Sequence, residues 1–261
     1  MTDWLAYDLA LLHSASRFDL SDQKGRTESA KWLRELFISL VAALRPRVVL
    51  ELGAAEASFS AQVRSLLDKG EVHALEANPH LYRKHRREAD AAGVRYHNLA
   101  VGPQDGRVSF KLGTHKDGQE LSPTKTNNSI LEKALDIQYR AIEVDMVTVD
   151  GFVDRQGLTD RSCAMWVDTE GLAYDVLCGA ERTLKATRAL LVEVEDKPFW
   201  IGQHLAHEVK ALICEAGFIP VARDFEYTGQ YNVLFLSREH FHDHYVRRVL
   251  EQAFAGKGGL S

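Results

Sequence analysis

Five short segments between residues 47 and 102 alternate in kind, and this alternation restricts the fold more than any other feature of the chain. "RVVLELG" (47–53) is a run of branched apolar residues stopped by glycine, which reads as a buried strand. "AAEASFSAQVRSLLDKG" (54–70) has helical periodicity and closes on Gly70, a suitable residue just beyond a helix C-terminus. "EVHALEAN" (71–78) reads as a second strand. Asn78 then offers an N-cap, and Pro79 occupies the first position of a helix running through "LYRKHRREADAAG". "VRYHNLAVG" (94–102) reads as a third strand. Strands joined by helical crossovers must lie parallel, so the order predicts an α/β fold: a doubly wound, mostly parallel sheet with helices on both faces.

The flanking segments fit that frame. Residues 1–45 read as helices, with Trp32, Leu36, Ile38, Leu40, Val41 and Leu44 largely on one face of a helical cover. After Gly102 the rhythm breaks. Residues 102–140 are polar and rich in turn residues, which predicts an insertion with one extra strand pair that serves as a mobile lid around His115 to Asn128. The winding then resumes with a helix over "VTVDGFVDRQG", a fourth strand "CAMWVD" and a fifth, "LLVEVE" (190–195). A helix over "HLAHEVKALICEAG" ending at Gly217 and two last strands, "FIPVARDF" and "QYNVLFLS", complete a single domain of seven strands. The stretch "MWVDTEGLAYDVLCGAERTL" (165–184) begins as the fourth strand and ends as a helix, with Asp168 and Glu170 at the joint.

Charge and composition narrow the function classes. The net charge of −5 provides no basic field for nucleic acid or an anionic membrane, and no apolar run reaches the length of a membrane span. The N-terminus carries Asp3 and Asp8 and no basic region, unlike a signal peptide. Cys163, Cys178 and Cys214 lie in apolar contexts and read as reduced core residues of a cytoplasmic protein. A homodimer is one assembly the sequence allows.

In a wound parallel sheet, ligands bind at the carboxyl ends of the strands. Those ends carry Glu51 and Gly53, Glu76 and Asn78, Asn98 and Ala100, Asp168 and Glu170, and Glu193 and Glu195. A dinucleotide needs a glycine-rich first turn, yet "ELGAAEASFS" has only Gly53, with Ala55 and Ala57 at the other positions and Glu56 adding negative charge. This argues against a nucleotide-dependent oxidoreductase. A cationic cofactor suits the acidic rim, and Glu76 stands where an acid meets a ribose diol. S-adenosylmethionine is therefore the expected cofactor, with Glu51, Gly53, Ser60, Glu76, Asn78, Asn98 and Ala100 as its binding residues.

"ELGAAEASFS" resembles the first motif of FkbM-type S-adenosylmethionine-dependent methyltransferases, D-V-G-A-N-x-G-x-F-S; Gly53, Ala54, Phe59 and Ser60 match, and Glu51 replaces Asp. "VDTEGLAYDVLCGA" resembles the family's K-I-D-V-E-G-A-E…V-L-x-G-A, matching at Asp168, Glu170, Gly171, Val176, Leu177, Gly179 and Ala180. Trp166 stands where the family usually has lysine, and Ala55 and Ala57 where it has Asn and Gly. The resemblance spans about residues 47–237. It implies methyl transfer to a hydroxyl of a sugar, glycan or glycosylated natural product; a non-catalytic binding protein on the same sheet is the remaining alternative.

Asp168, Glu170 and Glu193 are the candidate catalytic residues. Asp168 and Glu193 should be neighbours at the ends of adjacent strands. Three roles stay open: a Mg²⁺ site built on Asp168 and Glu193, which would ionise a hydroxyl; a metal-free site with Asp168 as general base; or a structural role, with the acids capping the following helix and Glu193 paired to Arg223. Phe199, Trp200, Gln203, Tyr231 and Asn232 are the expected contacts to a small-molecule or oligosaccharide acceptor.

Overall fold

The structure is a computed structural model that describes residues 4–124, 128–135 and 137–255. Two helices open the chain, α1 (Trp4–Ala15) and α2 (Gln23–Leu44). The wound half follows as β1 (Val48–Leu52), α3 (Ser58–Leu66), β2 (Glu71–Leu75), α4 (Pro79–Ala91) and β3 (Arg95–His97). Next come β4 (Ala100–Val101), β5 (Gly106–Lys116), β6 (Gln119–Glu120) and β7 (Ile137–Val147). The second half comprises α5 (Val149–Arg155), β8 (Cys163–Val167), α6 (Ala173–Cys178), α7 (Glu181–Ala186), β9 (Thr187–Glu195) and α8 (Ala206–Glu215). It ends with β10 (Phe218–Arg223), β11 (Gln230–Ser237), α9 (Arg238–Phe241) and α10 (His244–Phe254).

Seven strands form the main sheet in the order β10-β11-β9-β8-β1-β2-β3, parallel except for β11. β1 lies between β2 and β8, so the winding reverses there and the crossovers leave a crevice at its carboxyl end. The central strand is buried on both faces (Val48, Val49, Leu50 and Leu52), as a parallel sheet covered on both sides requires. One core packs α5–α8 against Leu50, Met165, Val192 and Val233; the other packs α2, α3 and α10 against Val49, Ala164, Leu191 and Leu234.

Several boundaries differ from the sequence reading, each for a physical reason. The helix expected over 54–70 starts only at Ser58, because Gly53, Ala55 and Ala57 all take left-handed backbone (φ +84°, +43° and +54°). It ends at Leu66, so Gly70 is no cap; at φ +123° it leads the chain into β2. Asn78 does cap α4 through the His80 amide, with Pro79 in the first turn. The expected third strand divides: β3 joins the main sheet, whereas β4 pairs with β7 in a second sheet ordered β4-β7-β5-β6. The insertion is thus an 11-residue-armed hairpin, β5 with β7, that extends to Val147 rather than ending at 140. The helix after Asp168 begins at Ala173 and breaks at Gly179–Ala180 into α6 and α7. Cys178 is exposed, not a core residue, whereas Cys163 and Cys214 are buried. The terminal α9 and α10 were not anticipated; α10 lies against α2.

Candidate active site

A cavity of about 520 Å³ opens at the carboxyl ends of β1, β2 and β8, lined among others by Gly53, Glu76, Ala100, Asp168, Glu170 and Glu193. Its floor depends on Gly53: a Cβ there would lie 1.8 Å from the Asp168 carbonyl oxygen. Only glycine lets the ends of β1 and β8 approach so closely. The left-handed turn that follows aims the Ala55 amide back at the sheet, where it donates to Glu76 Oε2 at 2.8 Å. The Asn78 amide donates to Glu76 Oε1 at 2.7 Å. Tyr96 braces the turn by donating its hydroxyl to the Ala55 carbonyl. Burial pushes the Glu76 carboxyl up to about 7, against the lowering effect of those two amides.

The other expected cofactor residues stand behind the cavity wall. Glu51 is buried and accepts the Ser60 amide at 3.0 Å, fixing α3 to β1; burial raises it to about 7. Asn98 donates to the Glu76 and Ala77 carbonyls at 2.8 and 3.1 Å. Asn78 caps α4 with its oxygen and donates its amide to the Pro123 carbonyl at 2.9 Å. These four position the loops that carry Gly53, Glu76 and Ala100 to the cavity.

The acids of the opening joint cluster with those of β9. Val167 pairs with Val192, so Asp168 and Glu193 follow side by side. Gln230 Nε2 donates to Glu193 at 2.9 Å. Burial, then the negative charges of Asp168, Glu170 and Glu195, holds Glu193 well above the usual carboxylate range. Burial raises Asp168 to about 6, and the neighbouring Glu193 opposes the rise. Burial and the Asp168 charge raise Glu170 to about 8, and Lys133 opposes them. Glu195, 2% exposed, rises to about 7 chiefly through burial. Neither Asp168 nor Glu170 caps a helix: α6 starts five residues beyond Asp168 with Leu172 at its cap position. Nor does Arg223 neutralise Glu193; its guanidinium lies 3.3 Å from the Tyr231 ring centre and donates to the Asp224 carbonyl.

Among the described residues, no group of three or more His, Cys, Asp or Glu side chains is arranged to hold a metal ion. The structure thus gives no support for the expected Mg²⁺ on Asp168 and Glu193.

Of the expected acceptor contacts, Trp200 is 1% exposed and packs on Gly171, where a Cβ would lie 2.6 Å from its ring. Gln203 accepts the Trp200 amide and Lys133 Nζ sits 4.6 Å from the indole centre. These residues brace the Glu170–Gly171 turn instead of presenting a stacking surface. Phe199 is partly buried against the Gly229 turn. Tyr231 is also buried, donating its hydroxyl to Asp196 at 2.9 Å. Asn232 points to the α2 side of the sheet and donates to Asp224 at 3.0 Å.

Sequence reasoning missed the contribution of the hairpin and of the β10–β11 loop. Phe110, Ser129 and Ile130 line the cavity, as do Tyr227 and Gln230. Ser129 Oγ donates to the Glu170 carbonyl at 2.8 Å, and Asn128 accepts the Gly113 amide at 2.8 Å, so this part of the insertion is tied to the catalytic turn. The polar run "TNNSIL" signalled a loop; which residue would reach the cavity follows only from the hairpin register.

A wound sheet with a glycine-floored cavity at its switch point, an acid just beyond β2 and acids at the ends of β8 and β9 has the architecture of the Rossmann-like class. The Methyltransferase FkbM domain model matches residues 45–220, and the chain belongs to that family. It is 24% identical over 183 residues to the 2-O-methyltransferase NoeI of Sinorhizobium fredii, covering 68% of this chain and 74% of the relative. Among solved structures, it resembles the precorrin-6y C5,15-methyltransferase of Geobacter metallireducens (TM-score 0.45, 12% identity, 79% of this chain and 88% of the other). It also resembles the N-terminal domain of EvdMO1, whose structure was determined with SAH and D-fucose (TM-score 0.42, 12% identity, 84% of each chain).

Proposed function

We propose that the protein transfers the methyl group of S-adenosylmethionine to a hydroxyl of a sugar or glycosylated small molecule, with Asp168 as general base. The observation that carries this reading is geometric: Asp168 and Glu193 stand side by side at the carboxyl ends of β8 and β9 and both line the cavity that Gly53 and Glu76 line. The family implies the cofactor, and the cavity suits it. Gly53 gives the backbone clearance a bound nucleoside needs, Glu76 lies at the end of β2 where a ribose diol is held, and the acid cluster favours a sulfonium and an ammonium.

The bound cofactor supplies an electrophilic methyl carbon. The protein's part is to position the acceptor and take its proton. On transfer of that methyl group to the acceptor oxygen, Asp168 would take the hydroxyl proton. Gln230 donates to Glu193 and holds it beside Asp168. The O-methyl specificity is supported by the curated relative's name and by a carboxylate base suited to a hydroxyl.

Calorimetry with S-adenosylhomocysteine and NAD⁺ tests the cofactor directly. Micromolar binding of the first and none of the second is expected; the reverse preference would replace the methyltransferase reading of this pocket with an oxidoreductase one. Activity measured with EDTA present tests the metal-free route: full retention is expected, and loss restored by Mg²⁺ would return the metal to the site.

A further inference from the structure

The cavity at the strand ends runs across the sheet. Its lining residues stand beyond β2, β1, β8 and β9 and in the loop before β11, and these strands are neighbours in that order. Four strand spacings of about 4.8 Å separate β2 from β11, about 19 Å in all. The β2 end is apolar, with Ala77, Leu99 and Phe110, and suits a nucleoside base; Gly53 and Glu76 adjoin it. Asp168 lies between the two ends, because β8 lies between β1 and β9. The far end is formed by Glu193, Tyr227 and Gln230 and is left to the acceptor. A molecule held there and a methyl group held over Gly53 meet beside Asp168 within one continuous space.

Tyr227 is the side chain of the far end that the fold does not use. It is 60% exposed, and among the described residues nothing hydrogen-bonds to its hydroxyl or stacks on its ring. Its loop is nonetheless anchored on both sides. The Phe225 amide donates to Ser29 Oγ at 2.9 Å, and Asp224 accepts the Asn232 amide at 3.2 Å and its Nδ2 at 3.0 Å. The Asp196 amide donates to the Gly229 carbonyl at 2.8 Å. An aromatic face on an anchored loop at the rim of a ligand cavity is a preorganised platform for the apolar C–H face of a sugar ring.

The same end is acidic. The charge of Glu226, partial burial and the charges of Glu193, Asp224 and Glu170 all raise the Tyr227 hydroxyl above its ordinary range. The nearby cations are engaged on other rings, Lys133 over the Trp200 indole and Arg223 over Tyr231. An anionic acceptor would have to meet these carboxylates or force their protonation, and either is unfavourable.

We propose that the acceptor's sugar ring stacks on Tyr227 at the β9–β11 end of the cavity, with its reacting hydroxyl toward Asp168, and that this end admits neutral or amine-bearing sugars and rejects anionic ones. The inference rests on the S-adenosylmethionine reading of the other end. It makes Tyr227 the residue that sets acceptor affinity, in place of the buried Trp200.

The test uses the full chain saturated with S-adenosylhomocysteine at pH 8. Saturation-transfer NMR is run on a panel of the methyl α-glycosides of D-glucose, D-galactose, D-mannose, L-fucose and L-rhamnose, and any that receives transfer is titrated. At least one should bind. Tyr227→Ala should weaken its binding at least about five-fold, and Tyr227→Phe, which keeps the ring, less than about two-fold. Affinity for S-adenosylhomocysteine should stay within about two-fold in both variants, since the cofactor end is untouched. The uronate of the same ring, with a carboxylate at C6, should bind at least about ten-fold more weakly than the neutral glycoside. Absence of transfer to every glycoside, Tyr227→Ala affinity equal to wild type, equal losses in the two variants, or a uronate that binds as tightly as the neutral sugar would each overturn the proposal. Failure of the wild-type protein to bind S-adenosylhomocysteine would instead remove the cofactor assignment beneath it.

Discussion

Ala57 sits at φ +54° in the turn after β1, a conformation that costs a residue with a Cβ about 1–2 kcal/mol. Ala55, at φ +43°, carries the same strain. The family motif has Asn and Gly at these positions, the residue types that tolerate left-handed backbone, so the two departures concern conformation rather than lost side-chain contacts. Ala57→Gly should therefore stabilise the protein by about 0.5–1 kcal/mol, after the greater freedom of glycine in the unfolded chain is discounted. A thermal melt should show a rise of about 1–3 °C; a lower Tm would mean that the Ala57 methyl, which is buried, contributes more packing than strain. Glu76 is a different kind of residue, since its carboxylate already holds two backbone amides and lines the cavity. Glu76→Gln should cost S-adenosylhomocysteine about 1.5–3 kcal/mol of binding free energy, the range for hydrogen bonds to a charged group. Unchanged affinity by calorimetry would remove the ribose assignment.

Among the elements, those with a strong internal period were legible and those whose form depends on a partner were not. β1, β2, α4, β8 and β9 could be placed from apolar runs and the Asn78–Pro79 cap alone, and with them the strand-end acids that make the site. The hairpin arms were not: β7 alternates between exposed and half-buried residues along most of its length, so its pattern carries little signal until β5 fixes the register. The division of 165–184 into a strand, a left-handed turn at Glu170 (φ +49°) and two short helices also escaped detection. The turn packs Gly171 on Trp200, 29 positions away in sequence, and the break between the helices packs Gly179 on the Gly102 carbonyl and Thr148. The candidate site was accordingly legible as a set of acids but not as an arrangement. The lid expectation of His115 to Asn128 takes in residues 125–127, which lie outside those described, whereas β5 is paired through His115 and Lys116. If the hairpin serves the cofactor through the Ser129–Glu170 contact, hydrogen exchange at 128–131 should slow when S-adenosylhomocysteine is added. Equal exchange with and without it would mean that this segment is a fixed wall.

At the scale of the whole molecule, Glu51, Glu76, Glu170, Glu193 and Glu195 all titrate above the ordinary carboxylate range, with burial the leading cause in each. The folded state thus holds protons that the unfolded chain releases above about pH 4.5. These five acids make stability fall as pH rises through the window from there to about 8, the value reached by Glu170, while His73, lowered to about 4 chiefly by burial, opposes them below about 6.5. Denaturant midpoints of the ligand-free protein should decline from pH 5 to pH 8, and Glu170→Gln should make the decline shallower; a midpoint that rises over this range would contradict the clustered burial of these acids.

The same cluster carries the central claim, that Asp168 is the base which takes the acceptor proton. It is tested by the transfer of tritiated methyl from S-adenosylmethionine to the glycoside panel, in EDTA, by wild type and Asp168→Asn, with S-adenosylhomocysteine affinity measured on the same samples. The account predicts turnover reduced about 10²–10⁴-fold in Asp168→Asn, the usual contribution of a general base, with affinity changed less than three-fold. Turnover by Asp168→Asn equal to wild type would contradict it.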